Sequence, residues 1–141
     1  MYIQCGLNMI KLLYGIIRGD WMLSKKTTMY SEKKYEIEEL KELIKTHIIK
    51  ISEDIRFKEE VYHVLGDGQT CLMIFEKWYL RTGSYTSLVI LLSEFHDVHC
   101  ADIVGTGGKE AFFSLGAESD FENIGIEVLQ DLGFKISVDK S

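Results

Sequence analysis

The segment Phe95-His96-Asp97-Val98-His99-Cys100 concentrates metal-ligating side chains: two imidazoles, a carboxylate and a thiol. Zinc accepts such a set. The spacing limits it. Successive side chains of a strand point to opposite faces, so His96 and His99 oppose each other unless a turn aims both at one ion. No second Cys/His pair at finger spacing accompanies them, and His47, His63 and Cys71 stand alone in the sequence. The expectation is a turn running into a strand, with Cys100 as a small buried apolar residue and no metal or other cofactor. If a metal is held, His96, His99 and Cys100 are the residues to hold it.

Three carboxylates come next. Glu76 and Glu94 fall in neighbouring apolar runs and Glu118 precedes a C-terminal helix. Carboxylates do acid/base work when their surroundings push their pKa values apart. Glu76, flanked by Phe75 and Trp78, is the best of them. An enzyme built on this chain would use Glu76 and His96 in a pocket between the sheet and the C-terminal helix. The competing reading gives Glu76 a salt bridge to Lys77 or Arg81, or plain solvent exposure. No serine lies in a Gly-x-Ser-x-Gly context, so a hydrolase nucleophile has no support.

Gly105-Thr106-Gly107-Gly108-Lys109 has the composition of a phosphate cradle but not its spacing. A cradle also needs a following helix, whereas the run Ala111 to Leu115 reads as a strand. A glycine-rich turn is expected. Gly105, Gly107 and Gly108 remain places where a backbone can approach a ligand, with Trp78 and Phe112 as aromatic contacts. Trp78, Tyr79, Tyr85, Phe112 and Phe113 have rings that could stack on bases. A net charge of −6 and the lack of interleaved Lys and Arg argue for core packing instead, and against nucleic acid as a partner.

The elements that must carry these residues follow from periodicity. Leu40, Leu43, Ile44 and His47 recur at helical spacing and predict a helix from about Ser31 to His47. Beyond it, Ile49, Ile51, Ile55 and Phe57 share one parity, which predicts a half-buried strand with room for a bulge. Gly66-Asp67-Gly68 is a turn signal. Thr70–Leu80 and Tyr85–Glu94 predict a hairpin around Arg81-Thr82-Gly83-Ser84, and Val98–Val104 continues the meander. Ser119 with Glu122 reads as a capping box for a last helix that ends at Gly133. Phe134–Ser141 is a short strand or a frayed tail. With no alternating βαβ units, the fold class is α+β. The expectation is an antiparallel meander of four to five strands, with an N-terminal and a C-terminal helix on one face.

The central strands are apolar on both parities. Leu72, Ile74 and Trp78 alternate with Cys71, Met73 and Phe75, and Leu88, Ile90 and Leu92 alternate with Val89 and Leu91. Two helices cover only one face, and monomers seldom expose large apolar patches. The second face therefore calls for a cover. A second copy of the chain comes first and a small apolar ligand next. An N-terminal arm, or the segment Phe57–Leu65 folded across, is the intramolecular alternative.

The chain has 141 residues, the size of one domain, with 46% hydrophobic and 27% charged residues, which argues against disorder. Three cysteines, an odd number without finger spacing, point to reduced thiols and a cytoplasmic setting. Residues 1–21 are apolar but lack a secretory cleavage site. Arg18-Gly19-Asp20-Trp21 ahead of Met22 can be encoded by AGA-GGA-GAT-TGG, which contains a ribosome-binding sequence about five nucleotides before an ATG. Residues 1–21 are thus expected to be a translated leader, the alternative being a flexible arm, with residues 22–141 as the domain. Removing Lys11, Arg18 and Asp20, together +1, leaves a net charge of −7. Membrane docking enters only if residues 1–21 are native.

From Cys71 to Phe121 the sequence is similar to a small bacterial family of unknown function. Its pattern reads here as Phe75-Glu76-Lys77-Trp78, Gly83, Ser87-Leu88, Gly107-Gly108, Phe112-Phe113 and Gly116-Ala117-Glu118. Lys77-Trp78 stands where the family pattern has Arg-Tyr. The resemblance implies a small α+β domain and brings no activity or cofactor with it. The function expected overall is that of a non-enzymatic, homodimeric or ligand-binding protein, with the Glu76/His96 enzyme and the peripheral membrane protein as alternatives.

Overall fold

A computed structural model describes residues 24–79, 83–107 and 111–137. The chain order is β1 (Ser24–Ser31), α1 (Ile37–Ile51), β2 (Ile55–Leu65), β3 (Gly68–Tyr79), β4 (Ser84–Phe95), β5 (Val98–Gly107), α2 (Ala111–Asp131) and β6 (Lys135–Ile136). The fold is α+β. Six strands form one antiparallel sheet in the order β2-β3-β4-β5-β1-β6. The meander runs from β2 to β5 through tight connections. Leu65 pairs with Gly68, so Gly66-Asp67 is a two-residue loop, with Gly66 at φ 59°. Phe95 pairs with Val98, and His96 and Asp97 both take positive φ (49° and 66°), the requirement of a type I′ turn.

Both helices lie on one face. Cys71, Met73 and Phe75 of β3, Leu88, Ile90 and Leu92 of β4, Ala101 and Ile103 of β5 and Met29 of β1 are buried and in register with one another. Ile37, Leu40, Ile44 and Ile48 of α1 and Phe121, Val128 and Leu129 of α2 complete this core. Gly125 is where α2 comes closest: a Cβ there would stand 3.3 Å from Ile103 and Leu88. α2 ends as expected at Gly133 (φ 100°). The amide of Phe134 reaches the Leu129 carbonyl (2.9 Å) and that of Gly133 the Gln130 carbonyl (3.0 Å), a Schellman motif.

Several expected boundaries move. Ser31 does not start a helix. It ends β1, a strand the sequence reading lacked, and its Oγ accepts the Lys33 amide at 3.0 Å. The first helix starts at Ile37 with Glu38 and Glu39 in its first turn, where acidic side chains complement the helix dipole. It runs on to Ile51, so Ile49 and Ile51 are exposed helical residues rather than strand. Its stripe is Ile37-Leu40-Ile44-Ile48, and His47 is exposed, its Nδ1–H donating to the Leu43 carbonyl (2.7 Å). The strand begins at Ile55, and the bulge falls between Phe57 and Glu59. Ala111–Leu115 is helical, so Ser119 falls inside α2 rather than at its start. Phe57–Leu65 is the edge strand β2 and does not fold across the sheet.

Candidate functional site

The face of the sheet away from the helices is lined by the alternate set of side chains. Leu72 and Ile74 of β3, Val89 and Leu91 of β4 and Val104 of β5 form its apolar centre, and all five are half-buried. Among them lies one carboxylate. Asp102 is only 6% exposed and accepts a hydrogen bond from the Thr28 hydroxyl at 2.7 Å. Burial pushes its pKa up, against the opposing pull of Thr28 and of the Lys26 charge. Burial, helped by the Asp102 charge, raises the neighbouring Cys100 thiol to about 12.

At the end of this face where β3 turns towards β4, the surface changes character. Trp78 and Tyr85 are register partners with rings 4.9 Å apart, inclined at 64°. Trp78 is 39% exposed and Tyr85 49%. With Glu53 and Asp54 of the α1–β2 connection and Arg56 of β2 they line a cavity of about 320 Å³. Arg56 stands opposite Glu76 in the register, but Glu76 is paired with Lys58 at 3.5 Å. Arg56 makes no ion pair with any described residue.

The opposite end of the covered face carries a polar row. Gln69, Glu94, His99 and Ser31 are neighbours across β3, β4, β5 and β1. The Tyr62 hydroxyl donates to Gln69 Oε1 (2.5 Å), and Gln69 Nε2 donates to Glu94 Oε1 (2.8 Å). His99 Nε2 lies 3.1 Å from Glu94 Oε2 and 2.9 Å from the Tyr35 carbonyl. Two acceptors on Nε2 place the proton there. The buried Nδ1 has no partner among the described residues. His99 thus ties the segment ahead of α1 to the sheet.

The sequence-predicted residues are dispersed. His96 sits on the exposed β4–β5 turn, its ring 4.1 Å from that of Phe95. His99 faces the helices and Cys100 the open face, so the three are not brought together, and no group of three His, Cys, Asp or Glu among the described residues could hold a metal ion. Cys71, on the covered face, is pushed up to about 11 by burial, with the Glu60 charge adding to it. Glu76 is on the open face, away from α2, and His96 lies nine positions along the chain from Ser87, the partner of Glu76, about 30 Å of strand. These two residues cannot share a pocket. Gly105 and Gly107 belong to the β5 ladder, opposite Leu88 and Thr86. A helix, not a strand, follows them, yet it leaves an antiparallel sheet rather than the parallel one a phosphate cradle uses. Gly108, residues 1–21 and the side chain of Phe112 lie outside the described residues. Of the expected ligand contacts among the described residues, Trp78 alone lines the cavity, and Arg56 was missed.

Residues 27–133 match the family of unknown function DUF6054. The chain belongs to the DUF6054 family. No curated protein matches it. The DUF6054 match begins inside β1 and ends at the Gly133 cap, so it takes in both helices and nearly the whole sheet. Among the described residues no helix is long and apolar enough to cross a membrane.

Proposed function

We propose that this chain is a non-enzymatic, cytoplasmic binding module that works through the open face of its sheet, and that the first occupant of that face is a second copy of the chain. One observation carries the reading. β3 and β4 are apolar on both faces, while the two helices lie on one. An antiparallel sheet with a solvated second face shows polar residues there. Here Leu72, Ile74, Val89, Leu91 and Val104 stand together instead. Two such faces stacked about 10 Å apart would bury them as a sandwich core does. The wide separation of Glu76 from His96 gives the enzymatic alternative no shared pocket.

Light scattering on the eluting protein tests this. The expected mass is twice the 16.2 kDa of the chain. Ile74→Lys, which sets a charge in the middle of the face, is expected to give the single-chain mass with an unchanged circular dichroism spectrum. A wild-type protein that stays monomeric at about 100 μM, a concentration that would fill any micromolar dimer, overturns self-association.

A further inference from the structure

The cavity at the Trp78–Tyr85 end of the open face combines features that the sheet does not need for its own packing. Two aromatic side chains, each well exposed, meet at 64° and form two walls of a corner. Exposed tryptophan and tyrosine leave ring faces in water, where they attract cations through the ring quadrupole. Two carboxylates, Glu53 and Asp54, and the guanidinium of Arg56 line the same cavity.

The charges define what fits. A lone cation would suit the rings and the carboxylates but would meet Arg56. A lone anion would suit Arg56, whose planar fork matches a carboxylate, but would meet Glu53 and Asp54. Among the described residues the guanidinium has no carboxylate partner, and Glu76, its cross-strand neighbour, is paired with Lys58. A molecule carrying both charges close together satisfies every group at once. At about 320 Å³ the space is at the small end of ligand pockets. We propose that this cavity is a binding site for a small zwitterion, its ammonium group held against Trp78 and Tyr85 beside Glu53 and Asp54, and its carboxylate on Arg56.

The site stands apart from self-association, since none of the five residues belongs to the apolar centre of the face. The test uses the full chain and three probes: glycine betaine (both charges), choline (the cation alone) and acetate (the anion alone). The readout is the indole N–H resonance of Trp78 in proton–nitrogen spectra, told from that of Trp21 by Trp21→Phe. Glycine betaine is expected to shift the Trp78 resonance saturably below about 10 mM, with choline and acetate each at least about tenfold weaker. Arg56→Gln is expected to weaken glycine betaine about tenfold and leave choline unchanged, the size of effect that follows loss of one charge-assisted hydrogen bond. Glu53→Gln with Asp54→Asn is expected to weaken glycine betaine and choline together. Ile74→Lys is expected to keep the response, which separates this site from the dimer. No saturable shift with glycine betaine overturns the proposal, and so does choline binding as tightly as glycine betaine with no effect of Arg56→Gln.

Discussion

The two faces of this sheet share strands and residue types, and they differ in what they meet. On β3 the covered face places Cys71, Met73 and Phe75 at zero exposure, while the interleaved Leu72 and Ile74 are half-buried. In the core of the covered side the side chains pack against the helices, down to Gly125, where an added Cβ would press on Ile103 and Leu88 at 3.3 Å. The open side shows similar hydrophobicity, and no helix among the described residues packs on it. Apolar character alone therefore does not distinguish a core from a contact surface. The presence of close, shaped neighbours does, because dispersion and cavity terms depend on them.

The sharpest way to press this contrast is truncation on the two sides. Phe75→Ala removes a fully buried ring packed edge-on against Phe57 at 5.3 Å and is expected to cost about 3–5 kcal/mol in urea unfolding, independent of protein concentration. Ile74→Ala, one residue away, is expected to cost about 1 kcal/mol at concentrations where the wild type is dimeric and progressively less on dilution, because the loss is felt through association. Equal, concentration-independent losses at both positions would erase the distinction between the faces.

A smaller effect comes from Asp102. Burial raises its native pKa above the ordinary 3.8, so the native protein holds a proton that the unfolded chain releases. Its contribution is therefore most favourable at low pH and is lost as pH rises through the native value. Asp102→Asn keeps an oxygen for Thr28 and carries no charge. The variant is expected to melt above the wild type at pH 7, with the gap closing as the solution is acidified towards 3.8. A gap that widens on acidification would mean that the carboxylate is stabilised, not strained, by its surroundings.

Much of the fold was legible in the sequence and little of the site was. Parity identified the central hairpin and the doubly apolar strands, and turn and cap residues the His96-Asp97 turn and the Gly133 cap. β1 escaped because Lys25, Lys26, Thr27 and Thr28 show no apolar alternation; it is held by pairing along β5 and by Met29 in the core. The end of α1 escaped because Ile49, Ile51 and Ile55 match a two-residue period over too short a stretch to tell strand from helix. Arg56 escaped for a more instructive reason. Counted back from the Gly66-Asp67 loop without a break, it would pair with Lys77 and sit on the covered face. The bulge between Phe57 and Glu59 shifts the register by one, sets it opposite Glu76 and so turns it to Trp78's side. A single extra residue decides which side of the sheet the guanidinium serves, and no spacing rule announces it.

The place of β1 has a consequence for how the molecule is made. Among the described strands, β1 comes first in the chain yet is inserted between β5 and β6, the two that come last, with Thr28 bonded to Asp102 across 74 positions of the chain. The β2–β5 meander can zip together hairpin by hairpin as it leaves the ribosome, since each pairing is local. The first strand must wait unpaired until β5 has emerged, leaving the sheet with an open edge through most of its synthesis. Of the described strands, β1 is thus the earliest made and can take its place in the sheet only once β5 is there to pair with it.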